Sequence, residues 1–248
     1  MAGHSKWSQI KRKKGANDQK RGQIFSKLSK EITVAAKLGG GDPELNPRLR
    51  QAISAAKAES MPNDNIDRAI KKGTGELEGA AAYEEGAYEA YGPDGIALLI
   101  ETLTDNKNRT AAEIRAILTK NNGNLGAPGS VSWMFHRKAY FYLPGATEDQ
   151  ALEATLEAGA EEIQPDGSGV ELYAPADAFD RVLKALAAAE IKMEDEKISS
   201  FPENTTDLEV ERAQKVLHLI ELLEDHEDVQ NVYHNLNLSD SLLASLEA

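Results

Sequence analysis

The spacing of apolar residues changes near Gly73, and the change predicts two kinds of structure. Before Gly73, Ile24, Leu28 and Ile32 recur at helical spacing, which predicts a helix over residues 16–38 with one apolar face. After Gly79, the pattern changes to a period of two, as in strands that bury one face, and later segments return to helical spacing between such strands. We therefore expect a helical N-terminal domain, a linker from Gly73 to Gly79, and an α+β remainder.

Turn-forming and helix-ending residues divide the helical part into three helices. A run of three glycines at 39–41 ends the first helix. Asn46 followed by Pro47 is typical of an N-cap and a first helical position, which predicts a second helix over residues 47–60. Pro62 ends that helix, and a third, shorter helix follows it. Three helices of this length are expected to pack as a small bundle, in a domain of residues 1–78.

The region after the linker predicts strands and one helix. The turn Gly92-Pro93-Asp94-Gly95 separates two strand-like segments, residues 83–91 and 96–103, which is a strong hairpin signal. The second segment contains a continuous apolar run at 97–100, which predicts a strand buried on both faces. Thr110 and Glu113 have the spacing of a capping box, so a helix is expected from Thr110 to about residue 120. A loop then leads to an expected strand over residues 130–135.

Residues 137–206 show the order of elements of a ferredoxin-like unit, β-α-β-β-α-β. Thr147 has the spacing of a second capping box, and the helix that follows it is expected to turn Leu152 and Leu156 inward. The second helix of this unit has apolar residues at helical spacing. They are Phe179, Val182, Leu183 and Leu186.

The last helix and strand cannot form a domain alone. Thr206 is expected to cap the helix, and the strand spans residues 229–235. Adding them to residues 79–136 completes an α+β domain of residues 79–136 plus 207–240, into which residues 137–206 are inserted. The simpler alternative is one continuous α+β domain. The predicted fold class is α+β, with an N-terminal three-helix domain followed by two ferredoxin-like α+β domains, one inserted in the other.

Charge separates the same two parts of the chain. Residues 1–72 hold 16 Lys and Arg against 7 Asp and Glu, a net charge of +9, whereas the remainder holds 12 against 34, a net charge of −22. A cluster of cations attracts polyanions, so the basic part is expected to bind nucleic acid through phosphates. The alternative is a solvated helix face. The predicted contact residues are Lys6, Trp7, Lys11, Arg12, Lys13, Lys14, Lys20, Arg21, Lys27, Lys30 and Lys37.

Trp7 is the one aromatic residue among the charges at the start of the chain. It either stacks on a base or anchors this basic arm to the first helix. The sequence leaves both roles open.

Several classes of function lack their sequence signals. Cysteine is absent, which excludes disulfides, thiol nucleophiles and cysteine zinc sites. Neither a His-Glu-x-x-His motif nor a phosphate-binding G-x-x-x-x-G-K-[ST] loop occurs, so we expect no metal, no cofactor, no catalytic residues and no enzyme activity. There is no secretory signal and no apolar run near the roughly 20 residues of a membrane span, so a cytoplasmic protein without membrane contact is expected.

Long motifs along the whole chain resemble those of the YebC family. The first third carries M-A-G-H-S-K-W, K-R-G-Q-I-F-S-K-L, A-A-K-L-G-G-G-D-P-E-L-N-P-R-L-R and M-P-N-D-N-I-D-R-A-I-K-K-G. The remainder carries Y-E-A-Y-G-P-D-G, D-N-K-N-R-T, G-S-V-S-W-M-F and D-V-Q-N-V-Y-H-N. The family pattern G-G-N-L-G is also present, with Asn122 in place of its first glycine.

The resemblance implies a helical N-terminal domain, two α+β domains, and no established catalytic residue or cofactor. Members of this family are described as probable transcriptional regulators that bind DNA near promoters. A mitochondrial relative is a translational activator of cytochrome c oxidase, and bacterial members have been tied to ribosomes and to relief of stalling at proline runs. By this resemblance, the binding residues correspond to the basic residues between Lys6 and Lys30.

The leading hypothesis is therefore a non-enzymatic regulator of gene expression that binds DNA, ribosomal RNA or both through its basic N-terminal domain. The sequence shows no recognition helix with base-reading residues, which favours RNA, whereas the family description favours DNA. A second hypothesis is an adaptor whose acidic α+β domains bind a protein partner. A third is an enzyme that uses an interdomain cleft, for which no site is recognisable.

Overall fold

The computed structural model of this chain describes residues 18–77 and 83–247. Contacts between Cα atoms divide these residues into two compact units. The first unit comprises residues 18–77, 83–130 and 215–232, and the second comprises residues 131–214 and 233–247. The expected division into three domains, with one inserted in another, stays a prediction.

Eight α-helices and eight strands occur in the described residues. The helices are α1 (Asp18–Gly39), α2 (Pro47–Ala58), α3 (Asn63–Gly73), α4 (Lys107–Lys120), α5 (Glu148–Thr155), α6 (Phe179–Ala188), α7 (Val210–Glu224) and α8 (Asp240–Glu247). The strands are β1 (Glu84–Tyr91), β2 (Ala97–Thr104), β3 (Asn124–Leu125), β4 (Phe135–Pro144), β5 (Glu162–Pro165), β6 (Gly169–Pro175), β7 (Asp195–Pro202) and β8 (Val229–His234). None of the described helices is both long and apolar enough to cross a membrane. The predicted α+β class is confirmed.

Helices α1, α2 and α3 form the predicted bundle around a small apolar core. Asn46 caps α2 as expected, because its side chain accepts a hydrogen bond from Leu49 N at 3.1 Å. The same side chain donates to Ala35 O at 2.8 Å, so the cap also ties α2 to α1. The buried core residues are Ile32, Ala35, Ala36, Leu49, Ala52, Ala56, Met61, Ile66 and Ala69.

The sheet of the first unit has the strand order β3-β1-β2-β8. β1 and β2 form the predicted hairpin, with Tyr91 opposite Ala97 and Glu84 opposite Thr104. Asp94, at φ 57°, and Gly95, at φ 79°, occupy left-handed conformations in its turn, which suits these residue types. β2 is buried along most of its length, as its continuous apolar run predicts.

Two predictions in this region are wrong. The capping box at Thr110 is not formed, because α4 begins at Lys107 and Asn106 is its N-cap, accepting from Arg109 N at 3.1 Å. Thr110 is therefore inside the helix and fully buried. The strand expected over residues 130–135 is replaced by a single 3₁₀ turn, Ser132–Met134, and β4 begins only at Phe135.

The sheet of the second unit has the strand order β5-β6-β4-β7, and all neighbouring strands are antiparallel. This order, with the first and third strands of the unit in the centre, is that of the predicted β-α-β-β-α-β arrangement. Its core joins the strands to α5 and α6. Its larger buried side chains include Phe141, Leu143, Leu172, Phe179, Val182 and Leu186.

Helix α5 differs from the prediction in the face that it buries. Thr147 caps it as expected, with Thr147 Oγ1 accepting from Gln150 N and Gln150 Oε1 accepting from Thr147 N. However, Ala151 and Thr155 face the core, whereas Leu152 and Leu156 are 45% and 63% exposed. The expectation that these leucines point inward is wrong, because α5 packs its smaller residues, Ala151 and Thr155, against the core of the second unit.

The cap expected at Thr206 is also wrong. Thr206 pairs with Leu236 in an isolated parallel bridge, and its backbone N donates to Asn235 O at 2.7 Å. α7 begins four residues later, at Val210. Thr206 therefore contributes to a strand-like contact within the second unit.

Candidate nucleic-acid interface

The structure describes only some of the predicted contact residues. Six of them lie outside the described residues: Lys6, Trp7, Lys11, Arg12, Lys13 and Lys14. Lys20 lies in α1, but its side chain is outside the description as well. The side chains of Arg21, Lys27, Lys30 and Lys37 are described, and they divide into an inward pair and an outward pair.

The inward pair, Lys27 and Lys30, is held by acceptors of the first unit itself. Lys30 Nζ lies 2.8 Å from Asp228 Oδ1 and 3.1 Å from Glu227 O, and its side chain is only 12% exposed. Lys27 Nζ donates to Glu224 O. Both ammonium groups therefore contribute to packing α1 against the α+β part of the unit. Their assignment to a nucleic-acid contact stays a prediction.

The outward pair, Arg21 and Lys37, is exposed to solvent on α1. The Arg21 guanidinium lies 5.4 Å from the centre of the Phe25 ring, within the range of a cation–π contact. Lys37 lies in the last turn of α1. These two cations remain accessible to a ligand.

Helix α3 adds exposed cations beside Lys37. A Cβ atom on Gly73 would lie 2.3 Å from Thr33 O and 3.1 Å from Lys37 N, so the end of α3 packs directly against the last turns of α1. Arg68, Lys71 and Lys72 are exposed on α3; Lys71 and Lys72 lie directly before Gly73, and Arg68 lies more than one turn before it. We call Lys37, Arg68, Lys71 and Lys72 the basic end of the bundle. Within residues 18–77 and 83–247, none of these four side chains forms a salt bridge.

Arg68, Lys71 and Lys72 were not among the contact residues predicted from the sequence. They form the segment R-A-I-K-K, in which two apolar residues separate the cations, unlike the continuous basic run at the start of the chain. Only the packing of α3 on α1 shows that this second group adjoins Lys37.

A buried ionic network holds the inward side of α1. Asp228 is 1% exposed, and it accepts from Arg109 Nη2 at 2.7 Å as well as from Lys30. The hydroxyls of Thr104 and Thr110 donate to its Oδ2 at 3.1 and 2.9 Å. We call these five residues the Asp228 network. It joins α1, the end of β2, the first turns of α4 and the residue before β8.

The electrostatics of the network keep its carboxylate ionised. Burial alone would raise the pKa of Asp228, because it disfavours the charged form. The hydrogen bonds from Lys30, Arg109 and Thr110 outweigh that effect and hold the pKa of Asp228 well below its ordinary value. A buried carboxylate with two cationic partners and two hydroxyl donors is satisfied, so the network is suited to positioning elements rather than to chemistry.

The Asp228 network cannot be predicted from the sequence, because its residues lie far apart in the chain. Arg109 and Thr110 belong to the motif D-N-K-N-R-T, and Asp228 begins D-V-Q-N-V-Y-H-N. Thr110 was assigned to a helix cap instead.

A second buried carboxylate, Glu171, lies in the sheet of the second unit. The hydroxyls of Tyr140 and Tyr173 donate to it at 3.2 and 2.9 Å. Burial, and next the charge of Glu171, raise the pKa of both tyrosines well above the ordinary value. The described residues contain no group of three or more His, Asp and Glu that could hold a metal ion.

Two family models together match nearly the whole chain. The model described as "TACO1/YebC protein N-terminal domain" matches residues 5–76, and "TACO1/YebC second and third domain" matches residues 83–236. The chain belongs to the TACO1/YebC family. The family membership predicted from the motifs is thereby confirmed.

Relatives over the full length support this membership. A "Probable transcriptional regulatory protein" of Chlorobium phaeovibrioides is 55% identical over 250 residues, which cover 100% of both chains. A protein of the same name from Natranaerobius thermophilus is 53% identical and covers 98% of this chain and 99% of its own. The crystal structure of a conserved hypothetical protein from Aquifex aeolicus matches this chain with a TM-score of 0.78 and 44% identity. That match covers 90% of this chain and 93% of the other.

Proposed function

We propose that this TACO1/YebC-family protein is a non-enzymatic, nucleic-acid-binding regulator of gene expression, and specifically a DNA-binding transcriptional regulator. The observation that carries the proposal is the concentration of cations in residues 1–72, which have a net charge of +9 in a chain that is otherwise strongly acidic. The names of the relatives as probable transcriptional regulatory proteins support the regulatory role.

The cations proposed to contact phosphates come from two places. One is the run Lys11, Arg12, Lys13 and Lys14, together with Lys6. The other is the basic end of the bundle, where the cations are exposed and form no salt bridge within the described parts of the chain. Lys27 and Lys30 contribute differently in this proposal, because they hold α1 in place through Glu224 O and the Asp228 network.

A second candidate function is a ribosome-binding or RNA-binding translation factor that activates translation or relieves stalling. The position of the basic end favours it. Lys37, Lys71 and Lys72 lie in the last turns of α1 and α3, whereas a helix that reads the DNA major groove contacts bases with its N-terminal residues. Contacts at the ends of helices suit phosphates of either nucleic acid and carry no base sequence.

Crosslinking in cells separates the two candidates. Nucleic acid recovered with the native protein is sequenced beside that of a variant in which Lys11, Arg12, Lys13 and Lys14 are all alanine. The proposal expects discrete promoter DNA that is lost in the variant. Ribosomal RNA that is lost in the variant would instead establish the translation factor, and recovery of neither would contradict both.

A further inference from the structure

Helix α5 of the second unit and the residue that caps its C-terminus place two leucines on the solvent side. Leu152 and Leu156 are 45% and 63% exposed. Residues four apart on a helix lie side by side, so the two side chains form one continuous apolar strip. The core-facing positions of the helix are taken by Ala151 and Thr155, both fully buried.

The placement of these leucines conflicts with the ordinary use of such residues. A helix in a small domain usually buries its leucines and exposes its smaller residues. Here the order is reversed, although the capping box at Thr147 forms as the sequence predicts, so the register of α5 is well defined. Positions where the apolar pattern and the observed burial disagree are expected at functional or strained sites, so these leucines are a candidate functional surface. A single exposed leucine needs no explanation, but a paired strip at helical spacing does.

The charge around the strip indicates what covers it. Residues 147–166 include seven Asp and Glu and neither Lys nor Arg. Four of these carboxylates lie on α5 or just after it, are exposed, and form no salt bridge in the parts of the chain that the structure describes. They are Glu148, Asp149, Glu153 and Glu157. Such a rim repels nucleic acid and attracts cations.

We propose that the α5 strip, Leu152 and Leu156 with its four carboxylates, is a docking site for a cationic amphipathic helix of a partner protein. Two apolar side chains of the partner, three or four residues apart, pack on the leucines, and its Lys and Arg side chains pair with the carboxylates. The inference goes beyond the proposed function, because the strip lies in the second unit and the basic end lies in the first.

The test uses the full-length chain and a synthetic helical peptide of about 18 residues, roughly five helical turns. The peptide contains only Lys and Leu, has its leucines on one face, and carries fluorescein for anisotropy measurements. A second peptide of the same composition has its leucines distributed around the helix. The double substitution Leu152→Ser and Leu156→Ser tests the strip. The matched control replaces Leu38 and Leu45, which are 67% and 80% exposed on the first unit, with serine.

The proposal expects the one-faced peptide to bind the native chain and the control variant equally. Its affinity should fall at least about tenfold for the strip variant, since two partly buried leucines contribute more than the roughly 1.4 kcal/mol that a tenfold change represents. The redistributed peptide should bind weakly to all three proteins. Equal binding of the two peptides, or equal loss in both variants, would show attraction by charge alone and overturn the proposal.

Two further measurements test whether something other than a partner helix covers the strip. If the native chain is a dimer in sedimentation equilibrium and the strip variant is a monomer, the strip is covered by a second copy of this chain, which contradicts the proposal. If the strip variant loses affinity for duplex DNA, the strip serves nucleic acid instead, which also contradicts it. Unchanged DNA binding by the strip variant separates this inference from the proposed function, which fails only if the native chain binds no nucleic acid.

Discussion

Asp228 shows how one residue settles the role of several others. The same lysine charge that suggests nucleic-acid binding in the sequence is, at Lys30, used to neutralise a buried carboxylate. Removing one partner of a buried ion pair leaves the opposite charge buried and uncompensated. The resulting loss of folding free energy is larger than the net stabilisation from the intact pair. The network therefore makes specific predictions for stability that do not involve nucleic acid.

Replacing Asp228 with asparagine should lower the free energy of unfolding by about 3 kcal/mol. The substitution leaves the amine of Lys30, whose side chain is 12% exposed, without its anionic partner. Urea unfolding of the full-length chain, followed by circular dichroism, measures the effect. Asp67→Asn, at an exposed position on α3, is the matched control and should change the stability by less than about 0.5 kcal/mol. Equal effects of the two substitutions would show that the network does not hold the fold.

The stabilisation from Asp228 should depend on pH in one direction. Its pKa is lowered in the folded chain, so the stabilisation is complete above the unfolded value of about 4 and is lost as the pH falls below it. The difference in unfolding free energy between the native chain and Asp228→Asn should therefore be constant near neutrality and shrink in acid. Urea titrations at a series of pH values measure it. A difference that grows in acid would contradict the lowered pKa.

At the scale of elements, the sequence predicted most helices and strands but placed some of their ends and faces wrongly. The bundle, the hairpin and the order of the second unit followed from apolar spacing and from turn residues, which act locally. The role of Thr110 depends on Asp228, which lies far away in the chain. The exposed face of α5 depends on how closely that helix packs against the core. Neither feature can be predicted from neighbouring residues. The basic end could not be predicted from the sequence either, because its residues come together only where α3 packs against α1.

Substituting alanine for two glycines of the bundle is predicted to change its stability in opposite directions, because only one of them lies at the contact of α3 with α1. Gly73→Ala would place a Cβ atom 2.3 Å from Thr33 O and should destabilise the bundle by about 1–3 kcal/mol. Gly22→Ala on α1, with nothing within 4 Å, should stabilise the chain by up to about 1 kcal/mol through helix propensity. Thermal unfolding of both variants measures the signs. Equal and small effects would mean that α3 does not approach α1 closely at Gly73.

At the scale of the whole molecule, positive and negative charge are concentrated in different parts of the chain, and each part is proposed to bind a different kind of partner. The net positive charge lies in residues 1–72, and the acidic remainder includes the α5 strip. The sequence alone predicted this separation, because net charge needs no knowledge of the fold. It could not distinguish cations that face solvent from those that hold the fold together, and the structure makes that distinction at Lys30 and Lys37.

The most direct test of the central claim is the salt dependence of binding to a duplex DNA of arbitrary sequence and to a single-stranded RNA. The logarithm of the association constant is plotted against the logarithm of the salt concentration for the native chain and two four-alanine variants. One variant replaces Lys11, Arg12, Lys13 and Lys14, and the other replaces the basic end. Lys184→Ala with Lys192→Ala, both exposed in the second unit, is the control.

Each phosphate contact contributes about 0.9 to the slope for duplex DNA and about 0.7 for a single strand. We predict that each four-alanine variant flattens the slope by about 3 to 4 units for duplex DNA. The control should leave the slope unchanged. Slopes that are unchanged in both four-alanine variants would contradict the claim that this protein binds nucleic acid through its basic N-terminal region.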